Sequence, residues 1–265
     1  SQLSLKSEVV LLKCPLTVSA IESVAAMKAL GANVKLRSSM RGVMITAAWK
    51  WLCSKIFRTE LVAPGGSNGF GVLGYVSAML ELRTQIDEGV IPEPDYLFVA
   101  AGSGSTLVGM HIGMRMMGIR SKLIGIQTSD DKGVEPARLA EMGNAAIAIL
   151  NRALKRPIDF KLDGSEFTVL KEYLFGGHGQ FPDHLNRWMS QFLELEDVDL
   201  DPVYTAKALY GMSDYISRHR IQGKTLLFWN TASPFRKGDL KSNFSFEKLP
   251  FRLKKWIRGD QAEGR

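Results

Sequence analysis

Tyr96-Leu97-Phe98-Val99-Ala100-Ala101-Gly102-Ser103-Gly104-Ser105-Thr106 joins a short apolar run to a glycine-serine turn that opens a helix. A run of this kind bounded by Gly and Ser reads as a buried strand. Similar runs alternate with longer helical stretches along the chain, which predicts an open, mostly parallel α/β sheet flanked by helices. The turn sets backbone N–H groups and hydroxyls at a helix start, where orphan donors and the helix dipole favour an anion such as phosphate. A tight strand-to-helix turn needs glycine with or without a ligand, so the loop by itself leaves both readings open. The rival ligand is a dinucleotide. The spacing is not Gly-x-Gly-x-x-Gly, however, and the next strand ends in Gln127-Thr128-Ser129 rather than in an acid for a ribose. No Gly-Lys-Ser/Thr follows the loop, which excludes a Walker site.

Working outward, residues 8–12 read as a strand, 17–30 as a helix stopped by Gly31, and 34–36 as the next strand. Residues 43–56 form a second helix with Val43, Ala47, Trp51 and Ile56 roughly on one side, and 61–63 lead into the turn Pro64-Gly65-Gly66-Ser67-Asn68. Then come a helix over 71–88, the strand over 96–101, a helix to Met117, a strand over 122–127, a helical stretch over 134–154 and a last strand over 226–229. That strand ends in Asn230-Thr231-Ala232-Ser233-Pro234. Three strand ends therefore carry small polar clusters, and ligands of open α/β sheets sit outside the carboxyl ends of the strands.

A chain of 265 residues with 45% hydrophobic content is long enough for one large domain or one and a half ordinary ones. No apolar run approaches the ~20 residues that cross a bilayer, and Ser1-Gln2-Leu3-Ser4 begins no leader pattern, so a cytoplasmic protein is expected. Cys14 and Cys53 lie far apart without metal-ligand spacing and read as packed thiols, with no metal site indicated. Of the net charge of +7, +5 falls in residues 236–265, so no basic stripe for nucleic acid crosses the fold. Phe251-Arg252-Leu253-Lys254-Lys255-Trp256-Ile257-Arg258 in that tail reads as a solvated helix laying Phe251 and Trp256 on its own domain, in preference to a membrane-surface helix.

Asp199-Leu200-Asp201-Pro202-Val203-Tyr204-Thr205-Ala206-Lys207-Ala208 places a ring-sized aromatic beside a hydroxyl, a pair suited to cover and hydrogen-bond a heteroaromatic ring. Read without a ligand, it is a helix entry with a buried tyrosine and an N-cap threonine. Together with the 101–106 loop and the 64–68 turn, this stretch resembles the pyridoxal-phosphate enzymes of the tryptophan synthase beta class, fold type II. The closest branch is the D-cysteine desulfhydrase and 1-aminocyclopropane-1-carboxylate deaminase family, and the resemblance runs nearly continuously from Leu5 to Pro234.

That resemblance implies pyridoxal 5'-phosphate as cofactor, with Gly102, Ser103, Gly104, Ser105 and Thr106 at its phosphate, Tyr204 against its ring, and Thr205 and Thr231 near the ring nitrogen. It implies substrate contacts from Gly66, Ser67 and Asn68 at a helix start, although the same residues also read as a capped turn. His178, in Phe175-Gly176-Gly177-His178-Gly179, stands where the family places a substrate-facing tyrosine. It is read either as a catalytic acid or base or as an ordinary loop histidine. A small amino-acid substrate, a homodimer, and no nucleic-acid or membrane partner are likewise implied. The ring-opening deaminases carry an acid where this chain has Thr205, so the resemblance points to simple β-elimination giving pyruvate, ammonia and a thiol or sulfide, with ring opening as the alternative.

The expected division is a remnant of a smaller mobile α/β domain over 1–60, a larger cofactor-binding α/β domain over 61–235, and a basic tail over 236–265. The family joins its cofactor through a lysine in a Gly-Asn-Lys motif, and a Ser-Asn-His element serves the substrate. Neither motif occurs in this sequence. The chain is therefore expected to be part of a longer enzyme and inactive alone, with a non-catalytic phosphate or cofactor cradle as the remaining reading.

Overall fold

A computed structural model describes residues 6–12, 18–57, 62, 64–129, 132–177, 180, 182–198 and 200–231. These fall into two compact units that part at Val62. Cys14, His178, Ala232, Ser233 and the basic tail lie outside the described residues.

In the first unit, parallel strands β1 (Glu8–Leu12) and β2 (Asn33–Arg37) pair in register from Glu8 with Asn33 to Leu12 with Arg37, joined through α1 (Val18–Ala29). Gly31, at φ +87, takes the left-handed turn that ends this helix. Helix α2 (Met40–Phe57) follows, and the Glu8 carboxylate receives Lys35 and Lys50, each at 3.1 Å, tying β1, β2 and α2 together at the surface. Of the residues read as sharing one side of α2, Trp51 is 57% exposed.

The second unit contains α3 (Gly69–Asp87), β3 (Tyr96–Ala101), α4 (Ser105–Met117), β4 (Lys122–Gln127), α5 (Pro136–Ala153), β5 (Thr168–Leu170), α6 (Asp183–Glu196), α7 (Thr205–Arg218) and β6 (Leu226–Trp229). Its sheet is wholly parallel in the order β5-β4-β3-β6. The period-two alternation of β3 sorts its side chains: Leu97, Val99 and Ala101 enter the core beneath α3, α4 and α5, while Phe98 and Ala100 face the core under α7. Because every pairing is parallel, the carboxyl ends of β3, β4 and β6 share one edge. No helix among the described residues is long and apolar enough to cross a membrane.

Gly109 and Gly113 of α4 serve helix packing. A β-carbon on Gly109 would meet the Val72 carbonyl at 2.5 Å, and one on Gly113 would meet Met79 Cβ at 2.6 Å, so both let α3 lie close against α4. Also on α4, the His111 ring packs 5.1 Å from Phe167, and its Nε2 has no hydrogen-bond partner among the described residues. Burial holds its pKa below the ordinary value of 6.5, assisted by Arg115 and opposed by Glu166. A depressed folded-state pKa means that the unfolded chain takes up the proton first, so this contribution is present above about pH 6.5 and lost as pH falls. Thermal unfolding followed from about pH 7.5 down to about pH 5 should show a falling Tm, and His111→Leu should flatten that limb.

Candidate functional site

At the end of β3 the chain turns through Gly104, which sits at φ +85 as the N-cap of α4. The left-handed backbone and the closeness of the Leu139 side chain and the Gly133 carbonyl leave room only for glycine. Because this N-cap brings no side-chain acceptor, the first-turn N–H groups of α4 keep their capacity for an outside anion. Ser105 is buried behind the turn at 8% exposure, with Thr106 half-buried beside it.

Two other loops converge on this one. Gly65 lies at φ +68, and the point a β-carbon there would occupy is 2.7 Å from Ser103 Oγ and 3.0 Å from Ser67 Oγ. The 64–68 turn is thus seated on the glycine-serine loop with both hydroxyls directed to one place. Ser67 Oγ is buried and has no hydrogen-bond partner among the described residues. One residue earlier, the space over Gly102 is flanked by Tyr204 Cε1 at 3.1 Å and Thr128 Oγ1 at 3.6 Å from the corresponding point. The ring of Tyr204 therefore covers the start of the loop, and Thr128 supports it from the end of β4.

The approach of Tyr204 is fixed by Asp201. Its carboxylate accepts from the N–H groups of Val203 (3.0 Å), Tyr204 (2.9 Å) and Thr205 (3.2 Å). Thr205 closes the turn from the other side: its Oγ1 accepts from the Asp201 N–H at 2.8 Å and lies 3.3 Å from the Asp201 carbonyl. Thr205 is fully buried in this arrangement, whereas Tyr204 is 39% exposed.

Three residues on, Lys207 is also fully buried, and its Nζ donates to the carbonyls of Leu174 and Gly177 at 2.8 Å each. The ammonium holds a loop in which Phe175, Gly176 and Gly177 all have positive φ. That loop also rests on α7, where the Tyr173 hydroxyl donates to Asp214 at 2.7 Å.

Of the residues singled out in the sequence, Ser67, Gly102, Ser103, Gly104 and Tyr204 are brought together by these approaches, and Gly66 lies in the same turn. Asn68 caps α3, its Oδ1 accepting from the Gly71 N–H at 2.9 Å. Thr231 follows β6 at the same sheet edge. Sequence reasoning gave no role to Thr128 or Lys207. Nothing local marks them, because their burial depends on strands and loops distant along the chain.

Comparison with known proteins identifies the family. A family model described as pyridoxal-phosphate dependent enzyme matches residues 2–232. The chain belongs to the pyridoxal-phosphate dependent enzymes. Within that family it is 31% identical over 183 residues to a Pyrococcus horikoshii protein whose name assigns it provisionally as a 1-aminocyclopropane-1-carboxylate deaminase, covering 68% of this chain and 51% of that protein. It is 28% identical over 176 residues to the D-cysteine desulfhydrase of Klebsiella pneumoniae, covering 66% of this chain and 50% of that enzyme. The chain thus spans about half the length of these curated relatives.

Among solved structures, the crystal structure of an ACC deaminase homologue superposes with a TM-score of 0.69 at 25% identity, over 87% of this chain and 67% of that one. A threonine deaminase from Solanum lycopersicum shares the fold alone, at a TM-score of 0.52 and 14% identity, over 90% of this chain and 66% of that one. Enzymes of this family bind pyridoxal 5'-phosphate. The residues present here fit that group: an uncapped helix start for the phosphate, a glycine face under an aromatic ring, and unpartnered hydroxyls around both.

Proposed function

We propose that the complete protein is a pyridoxal-phosphate-dependent lyase acting on a small amino acid, with β-elimination of the D-cysteine desulfhydrase kind as its reaction. The observation that carries the reading is the convergence on one loop of Tyr204 over Gly102 and of Ser67 beside Ser103. When bound, the cofactor supplies an electron sink for bonds at the substrate's α-carbon.

In this reading residues 102–106 hold the phosphate with first-turn N–H groups and hydroxyls, and Tyr204 orients the ring and shields it from water. Asp201 and Thr205 keep Tyr204 in place, and Thr231 stands at the sheet edge near the ring. The turn of Gly66, Ser67 and Asn68 receives the substrate carboxylate. His178 exchanges a proton with the substrate amine through an imidazole nitrogen. A threonine rather than an acid at position 205 favours simple elimination over ring opening. The division into a smaller domain over 1–60 and a cofactor-binding domain over 61–235, a cytoplasmic homodimer, and the absence of nucleic-acid or membrane partners belong to the same proposal.

Calorimetry with pyridoxal phosphate tests the cradle. Gly102→Val, which fills the space between Tyr204 and Thr128, should weaken binding by about tenfold or more, and unchanged binding would overturn the reading. Because the sequence has no Gly-Asn-Lys motif, borohydride reduction should leave this chain without a stoichiometric pyridoxyl-lysine at any single position. One such site in the mass spectrum would refute that expectation and name the lysine. The reaction is tested by offering the complete gene product D-cysteine and 1-aminocyclopropane-1-carboxylate. Pyruvate from the first supports elimination, and 2-oxobutanoate from the second supports ring opening.

A further inference from the structure

Thr128 is fully buried, and its Oγ1 has no hydrogen-bond partner among the described residues. A buried hydroxyl in that state lowers stability, and well-packed interiors rarely retain one without a use. Its setting is rigid. The Thr128 N–H donates to the Ala101 carbonyl at 3.2 Å, and the buried Gln127 side chain donates to the Ser129 carbonyl at 2.8 Å, closing the turn around it. It stands at the carboxyl end of β4 beside that of β3, and its Oγ1 faces the same space over Gly102 as the ring edge of Tyr204.

We propose that Thr128 is a ligand-contacting residue whose hydroxyl donates to an acceptor atom on the heteroaromatic ring that Tyr204 covers. The inference rests on the proposed cofactor cradle and adds a contact that the sequence motifs do not contain. The ring, rather than the phosphate, is assigned as the partner for a geometric reason. The anion's donors are the first-turn N–H groups of α4 beyond Gly104, whereas Thr128 meets the loop at its first residue, in company with an aromatic edge. Since Thr128 is enclosed, the ring of Tyr204, itself part-exposed, shifts to admit the ligand.

The test uses pyridoxine 5'-phosphate, which lacks the aldehyde and so does not condense with surface lysines, alongside inorganic phosphate. Calorimetry on the parent chain, Thr128→Val and Thr128→Ser is paired with thermal unfolding of each chain without ligand. The valine variant should bind pyridoxine phosphate about tenfold more weakly while binding inorganic phosphate as the parent does. Its own Tm should be unchanged or higher by about 2 to 4 °C, because an unpaired hydroxyl has been removed. The serine variant should retain parental binding.

A valine variant that binds pyridoxine phosphate normally overturns the role of Thr128 and leaves the cradle standing. Equal loss of phosphate binding overturns the assignment to the ring. A valine variant of lowered Tm, with serine restoring stability but not ligand affinity, shows a merely structural hydroxyl. A parent chain that binds neither probe overturns the cradle itself and this inference with it.

Discussion

Gly104→Val should cost the second unit several kcal/mol and distort the turn at the start of α4. Holding a β-branched residue at φ +85 costs about 1–2 kcal/mol against the left-handed backbone. A β-carbon there also runs into Leu139, which is fully buried, and toward the Gly133 carbonyl at 2.9 Å. Overpacking of that kind adds about 1–3 kcal/mol, so the total is roughly 2–5 kcal/mol in a unit whose whole stability is expected to be about 5–15. Circular dichroism should show Tm lowered by roughly 10 °C, on the scale of about 2–4 °C per kcal/mol for a unit of this size. A parental Tm would mean that α5 does not pack over the turn as described. Gly104 is therefore a poor probe of binding. Gly102 is the better one, because a side chain there meets the movable ring of Tyr204 rather than the core.

The difference between these two glycines shows what the sequence could and could not say. Their alternation with serine, after an apolar run and before a helix, is a local signal, and the strand Tyr96–Ala101 and helix Ser105–Met117 fall where it puts them. Strands β1, β3, β4 and β6 follow from the same short-range patterning, and with them the parallel α/β sheet. Strand β5 is only Thr168–Leu170, too short for its periodicity to be read, and the sequence sets no bounds for α6. Which glycine faces a ligand space and which faces the core depends on Leu139, Tyr204 and Thr128, all of which arrive from distant parts of the chain. Gly109 and Gly113 illustrate the point: only the arrival of α3 in the space beside them shows what they serve. Tyr204 and Ser67 were legible because each sits in a compact motif. Lys207 was not, since a lysine at this position becomes a buried clamp only when the carbonyls of Leu174 and Gly177 are folded onto it.

Asp201 links the two readings of its motif, the helix cap that the structure shows and the cofactor cover proposed for Tyr204. Asp201→Ala removes a carboxylate that accepts three backbone N–H groups, from Val203, Tyr204 and Thr205, at the entry to α7. Charge-assisted bonds to a cap are stronger than neutral ones, and losing a set that shares one acceptor group should cost about 2–3 kcal/mol, lowering Tm by roughly 5–10 °C. The loss falls on the residue that carries the ring, so Tyr204 is no longer fixed over Gly102, and pyridoxine phosphate affinity should drop by about tenfold. Inorganic phosphate, held by the first turn of α4 on another loop, should bind as before. Asp201→Asn keeps an acceptor oxygen without the charge and should fall between parent and alanine in both measurements. Parallel titrations of the three chains with the two ligands decide the matter. If Tm falls while pyridoxine phosphate affinity stays at the parental value, the cap serves α7 alone and Tyr204 has no part in holding the ring.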